Sequence, residues 1–295
     1  MHDEAKLKKF IQGASRLPVL PQVTIRLLKT LDSPNVSAKE IAGVIETDPA
    51  LTARLLKLAN SSFYGQRGHI SRVQNAVAIL GSKTIRSLAL AVWTHTLQSQ
   101  RRNPEERNQL TPLLAHGLTV GVAARMLAES INQDLSEDAF MAGLLHDIGR
   151  VALVAQMGCE YQTRILDPAI SESVPLYEKE IAVLGFDHRA LGSALMASWT
   201  LPPFLAAVAE KHHDPDIVPG SQLFVAAVAL ADNFATRLGF NVALGTPRPG
   251  DEIIAEFFGL TDEDAVAEFL ELCLRWVRMM GEVLELPIEP APSPT

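Results

Sequence analysis

Ala139-Phe140-Met141-Ala142-Gly143-Leu144-Leu145-His146-Asp147-Ile148-Gly149 is the stretch on which the reading of this chain turns. Apolar and small residues run straight into a histidine and an aspartate. A buried carboxylate beside imidazoles is costly unless a metal or a counter-charge accounts for it. Other segments carry the same chemistry. His116 opens a run with Leu118, Val120, Val122, Ala123 and Leu127, and His188 precedes Ala190, Leu191, Ala194 and Leu195. His212-His213 ends the run Phe204 to Lys211, and Asp232 lies inside the apolar run Leu223 to Phe234. Each segment reads as helix. Adjacent helical side chains diverge by about 100°, so a vicinal His-Asp or His-His pair can serve two neighbouring metals. Two metals about 3.5–4 Å apart need several nitrogen and oxygen ligands from different helices. The candidate ligands are His116, His146, Asp147, His188, His212, His213 and Asp232.

Taken one at a time, these residues have plainer readings. A lone His116 or His188 fits a hydrogen-bonded helix histidine, and His212-His213 fits a complement to a helix C-terminus. Asp232 fits a cap or a partner for Arg237, although five residues is poor spacing for a helical ion pair. His146-Asp147 fits a helix end with Gly149 as its stop. His2, His69 and His95 have no comparable setting.

Composition narrows the class. A chain of 295 residues with 47% hydrophobic content can bury a substantial core and fits one large or two smaller domains. The net charge of -8 gives no basic face for nucleic acid. The start, Met1-His2-Asp3-Glu4, has no basic region followed by an apolar one, and no run approaches the roughly 20 apolar residues of a membrane span. A cytoplasmic protein with no nucleic-acid or membrane partner is expected. Cys159 and Cys273 lie far apart without CxxC spacing, so both are expected as buried free thiols.

The punctuation is helical throughout. Pro18 and Pro21 introduce a ragged helix-like segment through Leu31. Ser37-Ala38-Lys39-Glu40 fits a capping box, and Asp48-Pro49 reads as N-cap and first helical residue. A second capping box is expected at Ser71-Arg72-Val73-Gln74, followed by a left-handed stop at Gly81 and a restart at Ser82 running to about Leu97. The polar stretch Gln98 to Gln109 reads as a solvated loop and a boundary. Residues 1–105 are thus expected as an N-terminal helical half, 106–240 as the half with the candidate metal site, and 241–295 as C-terminal helices and tail. Asp251 to Gly281 reads as one or two amphipathic helices packed on the rest, and Pro287 to Thr295 as a disordered tail.

His146-Asp147 with its flanking histidines resembles the HD superfamily of metal-dependent phosphohydrolases, and the order of the candidate ligands resembles the metal-ligand series of its HD-GYP branch. Leu17-Pro18-Val19-Leu20-Pro21, Asp48-Pro49-Ala50-Leu51-Thr52, Leu58-Ala59-Asn60-Ser61-Ser62-Phe63-Tyr64-Gly65 and Ala76-Val77-Ala78-Ile79-Leu80-Gly81 resemble the HDOD domain. The resemblance covers about Leu17 to Asp232. It implies an all-α fold, a multi-helical HD-type domain preceded by an N-terminal helical subdomain. It also implies a bacterial signalling or regulatory module with little or no catalysis and a protein partner in a signalling pathway.

Two departures bear on activity. After His212-His213 the chain reads Asp214-Pro215-Asp216-Ile217-Val218-Pro219-Gly220, without a Gly-Tyr-Pro motif. Position 150 is Arg where many HD hydrolases carry Lys; Arg150 fits either a fork for phosphate or a surface ion pair. If the chain turns over a nucleotide or another phosphoester, Asp147 and Arg150 are the catalytic candidates. Imidazole and carboxylate without thiolate suit a divalent metal. A mixed dinuclear site favours iron or manganese, with nickel and zinc also compatible.

Overall fold

Side-chain caps start several of the helices. The structure, a computed structural model, describes residues 2–61, 69–99, 103–240 and 250–289, and among these no strand occurs. Asp3 caps α1 (Glu4–Gly13), and Pro21 precedes α2 (Gln22–Leu31). Ser37 and Glu40 exchange hydrogen bonds in the expected capping box at the start of α3 (Ala38–Ile45). Asp48 Oδ1 accepts from the Ala50 and Leu51 amides at 2.9 and 3.0 Å to open α4 (Pro49–Ala59). Each such cap is worth about 1 kcal/mol.

The box expected at Ser71 is not the start of the next helix. α5 (Val73–Ser99) begins one residue later, with the Arg72 carbonyl accepting from the Ala76 amide. Gly81, at φ 77°, stops one helical run and the next restarts after it, as expected, the two being joined across a kink as α5. Asn60 shows what its segment does locally. Its amide donates to the Leu56 and Ile70 carbonyls at 2.7 and 2.8 Å, and its oxygen accepts from the Ile70 amide at 2.8 Å. The ends of the connection to α5 are thereby clamped together, while residues 62–65 of that motif lie outside the described residues.

The polar stretch 98–109 is largely helical, since α5 reaches Ser99 and α6 (Pro104–Ile131) starts on the Asn103 cap; residues 100–102 lie outside the described residues. Glu105 and Glu106 sit in the first turn of α6, where the helix dipole favours them. A 3-10 turn, Gln133–Leu135, leads into α7 (Ser136–Leu145) and then α8 (Ile148–Met157). Then come α9 (Cys159–Tyr161), a π-helical segment Gln162–Leu166, α10 (Asp167–Glu172), α11 (Leu176–Leu184), α12 (His188–Ser198), α13 (Pro203–Lys211) and α14 (Leu223–Arg237). The C-terminal part forms two helices, α15 (Asp251–Phe257) and α16 (Glu263–Leu284). The tail expected to be disordered reaches residues 290–295, outside the described residues.

α6 and α7 pack antiparallel at the centre, with α14 on α6, α8 against α12, and α16 lying over α6, α4 and α5. One hydrophobic core connects the elements from Leu20 to Leu286. Trp93, among its largest buried side chains, donates to the Val19 carbonyl at 3.0 Å and meets Trp199 edge to face.

Two expectations need correction. α5 and α6 are long and apolar enough to span a membrane by length and composition, but 61% and 78% of their most apolar windows are buried inside the fold. Cys273 is buried as expected, but Cys159 is exposed at the start of a short helix.

Candidate functional site

Glycine contacts bring the ligand-bearing helices together. Carbonyl oxygens and backbone atoms stand where side chains on Gly117, Gly121 and Gly143 would project: a Cβ on Gly117 would lie 2.9 Å from Leu144 O, and one on Gly143 2.7 Å from Val120 O. α6 and α7 therefore touch backbone to backbone, and His116 on α6 comes beside His146 at the end of α7, ring centroids 5.3 Å apart. Gly149 is not a helix stop. It lies in the first turn of α8, where a Cβ would run into the His188 carbonyl oxygen and sit 2.8 Å from the Gly192 nitrogen. That contact lets α12 bring His188 to Asp147.

All the candidate ligands converge. Asp147 Oδ1 lies 3.5 Å from His188 Nε2 and 3.6 Å from His212 Nε2, and Oδ2 lies 3.8 Å from His146 Nε2. Asp232 joins His116 Nε2 at 3.2 Å and His213 Nδ1 at 4.0 Å; Arg237 instead lies over Phe234. Two clusters result, His116 with His146 and Asp147, and His188 with His212 and His213. Within each, one donor atom per residue lies within 4.8 Å of the others. His116, His146, Asp147, His188 and His212 are buried, whereas the side chains of His213 and Asp232 are 27% and 22% exposed and form the open edge.

The outer ring nitrogens fix the tautomers. Nδ1 meets the Phe240 carbonyl in His116 (2.8 Å), the Gly143 carbonyl in His146 (2.7 Å) and the Ala209 carbonyl in His212 (2.9 Å). In His188 it meets Glu180 Oε2 at 2.6 Å. Carbonyl and carboxylate oxygens only accept, so each Nδ1 carries the proton; in neutral His146, His188 and His212 the Nε2 then presents a lone pair inward, while His116 Nε2 faces the Asp232 carboxylate. Burial, with His212 and His116 nearby, pushes the His146 pKa down to about 4, which leaves it neutral and able to ligate near neutral pH. Burial also works against the Asp147 carboxylate, but Arg150 first and the imidazoles after it hold it well below the usual range. Burial opposes charge on His116 as well, and Asp232 more than offsets it, raising that pKa.

The donor set fits a divalent cation. Asp147 Oδ1 and His188 Nε2 are buried without a hydrogen-bond partner. Leaving such atoms unsatisfied costs about 1–3 kcal/mol each, a penalty that coordination would remove. Nitrogen and oxygen donors without thiolate suit a divalent first-row metal.

Arg150 is not a surface residue. It is buried, and its Nη1 donates to Asp147 Oδ2 at 2.8 Å, so at least one edge of its fork is turned to the carboxylate.

Glu180 was missed. Fully buried, it accepts from the His188 amide (2.8 Å) and His188 Nδ1 on one oxygen, and from the Tyr161 hydroxyl (2.6 Å) on the other. The signal was present, because Leu176, Glu180 and Leu184 follow at intervals of four along one stripe of α11. A carboxylate on an apolar stripe calls for a buried partner.

A family profile for the HDOD domain matches residues 17–215, more than half of the chain, and the chain belongs to that family. It is similar to an HDOD domain protein of unknown function from Geobacter sulfurreducens: 28% identity over 97% of this chain and 98% of that one, with a TM-score of 0.76. It shares its fold with a protein provisionally named a phosphohydrolase from Shewanella amazonensis SB2B: 22% identity, 95% and 98% covered, TM-score 0.69. A provisionally named signal transduction protein from Marinobacter aquaeolei VT8 shares it too: 20% identity, 96% and 64% covered, TM-score 0.72. Nothing among curated proteins matches the chain.

Proposed function

We propose that this HDOD protein is a regulatory module of bacterial signalling. In this reading, His116, His146, Asp147, His188, His212, His213 and Asp232 hold a dinuclear divalent metal centre that serves structure or sensing, with little or no turnover. The observation that carries it is the closure of the centre. Five of the seven ligands are buried, and the Asp147 carboxylate is already engaged by the buried Arg150. Catalytic metal sites keep an open coordination position, whereas structural sites are closed. The absence of a Gly-Tyr-Pro sequence after His213 agrees with this. When bound, the metals would supply positive charge that the carboxylates balance. The chain's own task is to hold the Nε2 lone pairs inward, through Glu180 and the Gly143 and Ala209 carbonyls. The protein partner is assigned to the N-terminal half, where the HDOD-specific segments lie.

A second reading, a metal-dependent phosphohydrolase acting on a nucleotide or other phosphoester, is favoured by the open edge at His213 and Asp232. Elemental analysis of protein purified without added metal or chelator tests the common premise. About one or two equivalents are expected, lost in a His146→Ala, Asp147→Ala double variant; metal-free parent protein would remove both readings. Metal-loaded protein then meets cyclic dinucleotides, nucleotides and phosphomonoesters with iron, manganese, zinc or nickel supplied. Turnover abolished by the double variant would replace the regulatory reading with the hydrolytic one.

A further inference from the structure

A cleft lies away from the histidines, towards the other end of the α6–α7 pair. It is half open to solvent, has a volume of about 460 Å³ and is lined mainly by α5, α6, α7 and α16. Small-molecule sites commonly have a few hundred cubic ångströms. Its walls are mainly carbon, with Phe269, Leu272 and Trp276 among the accessible lining and Leu88, Val122 and Phe140 beneath them. Met126 and Met279 add flexible thioether side chains that adapt to an occupant's shape.

One wall is polar in a specific way. Arg125 Nη1 lies 3.0 Å from Glu137 Oε1, and the Thr84 hydroxyl donates to the same oxygen at 3.3 Å. The Glu137 side chain is only 9% exposed. Guanidinium and carboxylate neutralise each other, and Glu129, the other charged lining residue, stands exposed to solvent at the mouth, so a charged head group would find no unpaired buried charge in this apolar space. A neutral donor meets no such obstacle, because a carboxylate has about four lone-pair sites and both contacts fall on Oε1. The occupant is a small molecule and not a partner helix, since about 460 Å³ is the volume of a small-molecule site.

We propose that this cavity is a binding site for a neutral amphiphile, with an aromatic or branched aliphatic body among Met126, Phe269 and Trp276 and an N–H or O–H donor directed to Glu137. The site is separate from the metal centre and does not depend on it. α6 and α7 contribute to both, so a molecule seated here leans on the helices that carry His116 and His146.

The test uses N-phenyl-1-naphthylamine, a neutral fluorescent arylamine with one N–H, and its sulfonated relative 8-anilino-1-naphthalenesulfonate, titrated into the full chain. The expected result is saturable one-to-one binding of the neutral probe, with a dissociation constant on the order of 10 µM. Its affinity should exceed that of the sulfonate about tenfold or more. Met126→Trp fills the cavity from α6. Leu272→Trp fills it from the rim, where Leu272 is 45% exposed and a larger side chain does not disturb packing. Each should weaken the neutral probe about tenfold or more, and if Met126→Trp does not fold, Leu272→Trp decides alone. Non-saturable binding, unchanged affinity in the rim variant, or equal affinity for the sulfonate would overturn the assignment.

Discussion

Replacing Gly149 with alanine is expected to damage both the fold and the metal centre, although alanine is the better helix former. A Cβ at this position meets the His188 carbonyl oxygen head on and stands 2.8 Å from both the Gly192 nitrogen and the His188 carbonyl carbon. Ordinary contact begins near 3.4 Å, so α8 and α12 must part by more than half an ångström. All three atoms belong to backbone, and no side chain can swing away. Overpacking of this kind costs typically about 1–3 kcal/mol, against about 1 kcal/mol gained from helix propensity. Because the closest contact is a direct clash, we expect the upper end, a net loss of about 2 kcal/mol. Gly43 in α3 supplies the opposite case: it is exposed, and a Cβ there would have nothing within 4 Å, so Gly43→Ala should gain about 0.5–1 kcal/mol. Urea unfolding of the two variants reads the difference in sign. Elemental analysis should show reduced metal in Gly149→Ala and parental content in Gly43→Ala, because only the first displaces His188 from Asp147. Stabilisation by Gly149→Ala with unchanged metal would refute the close approach of α8 and α12 as the device that assembles the centre.

Glu180→Gln puts an amide where the His188 amide, His188 Nδ1 and the Tyr161 hydroxyl now find a carboxylate, so metal affinity should fall about 10- to 100-fold in a competitive chelator titration; parental affinity would show that Glu180 does not orient the ring. Burial pushes the Cys273 thiol up to about 12 and the residue is fully buried, whereas Cys159 is exposed. A thiol reagent at pH 8 should therefore label one cysteine in native protein and the second only in denaturant, and two fast native thiols would contradict the packing of α16. Burial and then Glu180 raise the Tyr161 phenol well above the ordinary tyrosine value. Its contribution to stability is thus complete below about pH 10, the unfolded pKa, and is lost as pH rises further, where the unfolded chain ionises. Tyr161→Phe should flatten that alkaline decline in denaturation curves, and an equally steep decline would assign it elsewhere.

Much of the helical framework was legible because its signals are local. Ser37 with Glu40, Asp48 with Pro49, and Gly81 act within a turn of themselves, and the structure uses each where its residue type points. The exception at Ser71 is equally local: the helix starts one residue later, so the hydroxyl falls outside the cap position. The apparent loop at 98–109 misled because its charges were read as irregular, whereas Glu105 and Glu106 belong to the first turn of a long helix. Of the two readings of Arg150, the surface ion pair failed because one sequence position cannot reveal that Asp147, three residues earlier, faces the same buried space.

By itself the sequence determined which side chains were available to bind metal, and that each stood on or beside a helix with an apolar face. Imidazoles and carboxylates set among apolar residues carry a desolvation cost that must be met somewhere. Tertiary structure alone decided how it is met. The meeting of α6 with α7 and of α8 with α12 depends on glycines whose neighbours are distant in sequence, and Glu180 becomes a partner of His188 only once α11 is folded against it. The cavity under α16 has the same origin, since the space left between helices is set by their mutual packing and leaves no periodic trace in any one of them.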